Sequence, residues 1–346
     1  MKSLRRVTPE ALLWLLFFSI AAGLGYPTLN RYNPRKELPD AAVYAQIAAS
    51  GPTQIHDNFR FRILVPFLAR CVSHVAPSQM GSWDPLLFSF LFVNACFVAT
   101  TARLLYGVGS ALLAYDSVAL LGATLYLLNF AVSNLQLAAL VDASEACLLM
   151  AIVAAMFYER WYLLPLIGVV GALAKESFVP FSIVMAVTWW LTSAGRRSRA
   201  KLTWIAALVI IEMLTLIILQ SFISGHVISL WNFLQSMNSQ TSYGRNLIHS
   251  LVDRNSWYIL IWLLPLGLAG IKPFPRAWKA AALAGSLMAL VLNAYRSTVA
   301  GGGGGVGRYL FNVAGPLLSL GAASFLGAIR LTGRSESLID HAASEQ

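Results

Sequence analysis

The sequence predicts an all-α polytopic membrane protein with about ten transmembrane helices and two interfacial helices in the first outer loop. Three observations predict it. Of 346 residues, 58% are hydrophobic and only 12% charged, against roughly a quarter charged in an ordinary soluble domain. Apolar runs recur at about the length that crosses a bilayer. Arg and Lys gather at the ends of those runs, where they orient helices and meet anionic headgroups. That placement also argues against a nucleic-acid partner, despite a net charge of +10. The cysteines, Cys71, Cys96 and Cys147, are odd in number and scattered, so no disulfide framework or thiolate metal site is implied.

Taken in order, the first span covers residues 11–26 behind Lys2, Arg5 and Arg6. Many spans follow it, so it reads as a retained helix rather than a signal peptide. It delivers a first outer loop, 28–84, in which 40–50 and 62–74 have helical spacing, separated by Gly51-Pro52. In the second of these, Leu64, Leu68, Cys71 and Val75 share an apolar face, the pattern of a helix lying at the interface. Spans at 85–105, 111–130 and about 139–158 follow, then two short spans between Arg160 and the basic cluster at 196–201. Further spans cover 202–224, 257–271, 280–295 and 309–329. They are separated by outer loops at 225–256 and 296–308, the latter including glycines 301–305. Residues 1–334 thus form one transmembrane domain and 335–346 a polar cytoplasmic tail. Both termini lie on the cytoplasmic side of the inner membrane.

The unusual charge gathers on the outer side. Arg31, Arg35, Lys36, Arg60, Arg62 and Arg70 all fall in the first outer loop, where orientation does not need them. Such a surface suits an anionic ligand such as a lipid phosphate, and equally local acids or headgroups. Asp40 stands at the start of an apolar-periodic helix, as an N-cap or as a general base for an acceptor hydroxyl. Tyr44 and His56 accompany it as substrate-orienting candidates. Phe59-Arg60-Phe61-Arg62 sets two guanidinium groups among aromatic rings, suited to phosphate in two-point contacts or to headgroup anchoring.

Lys175-Glu176 lies in the turn of an apolar hairpin, about 20 Å above Trp161 at the helical rise. Charges at that depth face a cavity or find partners. Neighbours in sequence do not face one another on a helix, so each requires a different partner. Asp142 and Glu145 lie one turn apart on one face, as an acceptor-hydroxyl or metal site or, more simply, a solvated helix start that favours acids. No histidine completes a ligand set, so no metal or other cofactor is assigned. Glu212 falls in mid-span, an expensive placement. Arg308 and Tyr309 close the glycine-rich loop and could reach a lipid phosphate.

Together these residues resemble the GT-C superfamily of integral-membrane glycosyltransferases, which use lipid-phosphate-linked sugars. The resemblance rests on DAAVYAQIA after span one, FRFRILVPFLA at the second surface helix, LVDASEA, LAKESFVP and GRYLFNVAGP, in that order. It implies Asp40 as the catalytic acid-base residue. It also implies donor-phosphate binding by Arg60, Arg62, Lys175, Arg308 and Tyr309, and orientation of substrate by Asp142, Glu145 and Glu176. The donor would be a polyprenyl-phosphate sugar, the acceptor an envelope lipid, glycan or protein, and the partners membrane lipids and a further membrane protein. Two departures stand out: the paired acidic motif of many members is absent at Asp40-Ala41-Ala42, and there is no large outer C-terminal domain. The competing readings are a transporter or flippase for an anionic lipid or solute, and a non-catalytic membrane subunit of an envelope-polymer assembly.

Overall fold

The computed structural model describes residues 4–31, 39–55, 58–75, 84–193, 198–227, 247–248, 251–252, 254–296 and 305–344. Among these, every long element is a helix and no strand occurs. The helices are α1 (Leu4–Arg31), α2 (Pro39–Ser50), α3 (Leu64–Val75), α4 (Pro85–Leu112), α5 (Asp116–Leu127), α6 (Asp142–Phe157) and α7 (Leu164–Ala174). They continue as α8 (Phe178–Thr192), α9 (Arg199–Ser224), α10 (Arg254–Leu260), α11 (Leu263–Ala269), α12 (Arg276–Arg296) and α13 (Gly305–Ser344).

The expected ten spans are not found. Among the described residues, five helical segments are long and apolar enough to cross a membrane: Pro9–Pro27, Pro85–Leu112, Arg199–Ser224, Arg276–Ala294 and Val306–Ile329. The remaining apolar runs form helices too short for the task. α5 has 12 residues, α7 has 11 and α8 has 15, whereas a crossing needs about 20. The run expected at 257–271 is split into two seven-residue helices, α10 and α11. The chain is therefore a multi-pass helical membrane protein in which short apolar helices pack among longer ones.

α6 shows why counting apolar runs overestimates the spans. Nearly all of its 16 residues are buried, including its polar first turn, and it packs against α4, α7, α8 and α13. A helix apolar all round belongs either to a protein core or to a membrane, and α6 is core. By contrast, α9 exposes Ile210, Leu214, Ile218 and Phe222 along one side. Such an apolar stripe suits a helix that faces lipid.

α2 and α3 are the two helices anticipated after the first span. α3 buries Val65 and Ala69, packs Leu64 and Leu68 against the apolar clusters, and leaves Cys71 and Val75 exposed. With Tyr44, Ile47 and Ala48 of α2, the buried residues of α3 join Phe90 and Val93 of α4 and the segment 138–141 in one apolar cluster. α2 and α3 thus cap the bundle beside the start of α6. The helix at 309–329 does not stop at Arg330, since α13 runs on to Ser344.

Glycine permits one close crossing that matters to the bundle. A Cβ on Gly270 would collide with the carbonyl oxygen of Gly321, and one on Gly267 would come within 2.7 Å of the Leu318 carbonyl. α11 and α13 therefore touch backbone to backbone, as small residues allow between membrane helices. Gly270→Ala is expected to destabilise the protein by about 1–3 kcal/mol through overpacking. Thermal unfolding in detergent measures it, and an unshifted melting curve would remove this contact from the account.

Candidate functional site

The site forms where the N-terminal ends of α6, α8 and α13 meet the C-terminal end of α7. α7 stops at Lys175, whose backbone is extended (φ −167°, ψ 135°), and α8 resumes at Phe178. The turn is tight because the Phe178 ring lies over Gly171, where a side chain would collide with it. Lys175 is swung into the interior with no solvent exposure. Its Nζ donates to Asp142 Oδ1 at 2.6 Å and to Glu145 Oε2 at 2.9 Å, and it lies 4.5 Å from the centre of the Tyr309 ring. Asp142 and Glu145 share a face of α6 because they are three residues apart.

Two further groups complete Glu145. Ser177 donates to Oε1 at 2.5 Å and Asn312 donates to Oε2 at 2.9 Å. Behind Asn312, Gln136 donates to its Oδ1 at 3.0 Å, and Tyr126 donates to Gln136 Oε1 at 3.0 Å. Every donor in this chain points toward the carboxylate. Gln136 sits in a single π-helical turn, Val132–Gln136, the type of irregularity that re-aims a side chain.

Glu176 takes the other direction. Arg62 grips it through two parallel bonds, Nε to Oε2 at 2.7 Å and Nη2 to Oε1 at 2.5 Å. Its Nη1 donates to the Tyr44 hydroxyl at 2.7 Å, and its guanidinium lies 4.6 Å from the centre of the Phe59 ring. The backbone bond from Ile63 N to Leu173 O, 3.1 Å, fastens the start of α3 to the end of α7 and sets this register. Lys175 and Glu176 thus have separate partners on separate elements.

Arg308 stands at the rim. Its Nη1 is 3.6 Å from Asp142 Oδ2, with 18% of its side chain exposed, and its guanidinium lies 5.0 Å from the centre of the Tyr309 ring. Among the described residues its buried Nε has no hydrogen-bond partner. Asn312 follows it by one turn, so both reach α6 from one face of α13. Arg62, Lys175 and Arg308 stand against Asp142, Glu145 and Glu176, three cations to three carboxylates. The assembly is neutral as built.

Asp142, Lys175 and Tyr44 lie outside the five spans. Burial opposes the ionisation of Asp142, but Lys175 and then Arg308 outweigh it and hold the carboxyl at about 2, below its ordinary 3.8. Whatever stability this ionisation contributes is present in full above the ordinary value and is lost as pH falls through about 2. Burial likewise opposes the charge of Lys175, and Asp142 and Glu145 reverse it, keeping the amine protonated above its ordinary range. Burial pushes the Tyr44 phenol upward despite Arg62, so Tyr44 is neutral.

The expected site residues therefore divide. Tyr44, Arg62, Asp142, Glu145, Lys175, Glu176, Arg308 and Tyr309 come together. The expectation that Asp142 and Glu145 form a solvated helix start is overturned, because the turn of α7 and α8 closes over them and leaves them 2% and 0% exposed. Arg60 turns away to Ser224 at the end of α9, at 3.1 Å, and its Nε is also without a partner. Asp40 is half-buried one residue inside α2 rather than capping it. It lies one turn ahead of Tyr44, and among the described residues its carboxylate makes no hydrogen bond or ion pair. His56 and glycines 301–304 lie outside the described residues.

Asn312, Gln136 and Ser177 were missed by sequence reasoning. Asn312 carried a usable signal, a polar side chain one turn after Arg308; Gln136 carried none. Among the described residues no group of three His, Cys, Asp or Glu side chains is placed to hold a metal ion. A cleft lined by Phe157, Glu159, Trp189 and Arg276 lies at the other ends of α6 and α8 and includes none of the expected residues. No protein-family model matches the chain, and no curated protein matches it.

Proposed function

We propose that the chain is a membrane glycosyltransferase of the GT-C type. It takes a sugar from a polyprenyl phosphate and transfers it to an envelope acceptor at the outer face of the cytoplasmic membrane. The observation that carries this reading is Arg308. It has an unbonded Nε and a partly exposed guanidinium on the rim of a neutral, fully tied cluster, at the amino end of α13. A helix amino end and a guanidinium both favour an anion at that point.

Within this reading the cations take different roles. Lys175 and Arg62 are already neutralised by carboxylates at 2.5–2.9 Å, so they serve as framework. Releasing either to a phosphate would leave a buried carboxylate unpaired, which is strongly unfavourable. Arg308 is left to meet the leaving phosphate, with Arg60 as the second candidate because its Nε is also free of partners. In the reaction, the acceptor hydroxyl attacks the anomeric carbon of the donor sugar and its proton passes to Asp40. The bond from that carbon to the phosphate oxygen breaks, and the polyprenyl phosphate departs with the electron pair. Fixed cations are most effective where such charge develops.

Reconstitution with a radiolabelled polyprenyl-phosphate sugar tests the reading. Label moving to an acceptor supports the enzyme, while label changing sides without transfer establishes a carrier instead. Arg308→Gln is expected to lower transfer about 10²–10³-fold, the effect of removing one donor to a developing anion. Unchanged turnover in that variant excludes Arg308 from the phosphate site.

A further inference from the structure

Glu212 lies apart from the cluster, in the middle of α9, with no solvent exposure. Gly168 of α7 makes room for it: a Cβ there would stand 2.9 Å from Glu212 Cγ and 3.3 Å from Oε1. On the α8 side its neighbour is Ser182. The Ser182 Oγ lies 2.7 Å from Glu212 Oε1 and 2.8 Å from the Val179 carbonyl oxygen. Glu212 Oε2 has no hydrogen-bond partner.

The proton count in this arrangement is informative. A serine hydroxyl has one proton to give, and the two oxygens beside Ser182 both lie at hydrogen-bond distance. The Val179 carbonyl has no proton of its own, so the serine proton serves that contact. A protonated Glu212 supplies the second contact with a proton of its own, where an ionised one would have to share the serine proton with the carbonyl. An ionised Glu212 would leave two acceptor oxygens, at 2.7 and 2.8 Å from Ser182 Oγ, sharing one proton, and a buried charge with no counter-ion among the described residues.

Among the described residues no cation is placed to balance that charge. α7 and α8, the two helices packed against α9 here, carry no charged residue at all within their bounds. On α9 itself, Lys201 is eleven residues away, about 16 Å at the helical rise, and is paired with Glu159 at 2.5 Å. Arg199 is farther along the same helix. Among the described residues, Pro52–Gln54, Asn58–Phe61 and Trp161–Leu163 also touch α9. Their charged member, Arg60, meets α9 at Ser224, twelve residues from Glu212 and about 18 Å along the axis.

We propose that Glu212 is a proton-binding site inside the apolar bundle, a neutral carboxylic acid that donates to Ser182 and holds α9 against the α7–α8 hairpin. An uncompensated carboxylate in such surroundings takes up a proton rather than remain charged. The hairpin it holds is the one whose turn carries Lys175 and Glu176, so this proton bears on the support of the site without touching it. The inference does not depend on the glycosyltransferase reading.

Infrared difference spectroscopy of the full-length protein in liposomes at neutral pH tests it. Wild type minus Glu212→Gln is expected to show the carbonyl stretch of a protonated carboxylic acid, present in wild type and lost in the variant. The glutamine amide can donate to Ser182 as the acid does, so the variant keeps the contact. Ser182→Ala, which retains Glu212, is expected to shift the acid band to higher frequency by removing its acceptor. This second variant keeps the test decisive if the first does not fold. Loss of carboxylate bands alone in the first variant, or no change in the acid region in the second, overturns the proposal.

Discussion

Lys175→Met is expected to destabilise the protein by about 3–5 kcal/mol, the usual cost of breaking a buried ion pair by removing one partner. Methionine retains most of the apolar stem, so the effect isolates the charge. Asp142 would keep Arg308 at 3.6 Å. Glu145 would be left with only the neutral donors Ser177 and Asn312, inside the bundle and without a cation. Thermal unfolding in detergent measures the loss. Adding Asp142→Asn and Glu145→Gln should recover much of it, because the penalty arises from unpaired carboxylates rather than from the missing lysine itself. Additive losses in the triple variant would show that the three residues do not act as one unit.

Asp40→Asn is the second large effect and has the opposite profile. Among the described residues Asp40 makes no hydrogen bond or ion pair, so its replacement should change stability by no more than about 0.5 kcal/mol. Under the proposed function it should reduce sugar transfer by about 10²–10⁴-fold, the contribution of a positioned general base. Melting and label transfer on the same preparation separate the two quantities. A variant that transfers sugar normally removes Asp40 from the chemistry. The contrast between Lys175 and Asp40 is itself a test, since a framework residue moves stability first and a catalytic one moves rate alone.

Much of the molecule was legible in the chain. The all-helical membrane character follows from composition and from the spacing of apolar runs, and the segments around residues 11–26, 85–105, 202–224, 280–295 and 309–329 emerged as long helices. The charges at residues 142, 145, 175, 176 and 308 were conspicuous because each sits against apolar sequence. Different partners for Lys175 and Glu176 were anticipated from helix geometry, whereas the pair lies in the turn between α7 and α8, where the extended backbone at Lys175 separates the two side chains. The number of spans was not legible. α5, α7 and α8 are as apolar as the true spans, and the sequence does not say whether lipid or protein surrounds them.

By itself, then, the sequence determined the class of fold and which charges required an explanation. Only the tertiary structure decided that Asp142 and Glu145 are enclosed rather than solvated, that Arg62 grips Glu176, and that Arg60 departs to Ser224. The physical reason is that a helix specifies which residues share its own face, three or four apart, but not what stands opposite. Lys175 meets Asp142 across 33 residues and Asn312 meets Glu145 across 167. Contacts at such separations are set by how whole helices pack, which no local spacing encodes.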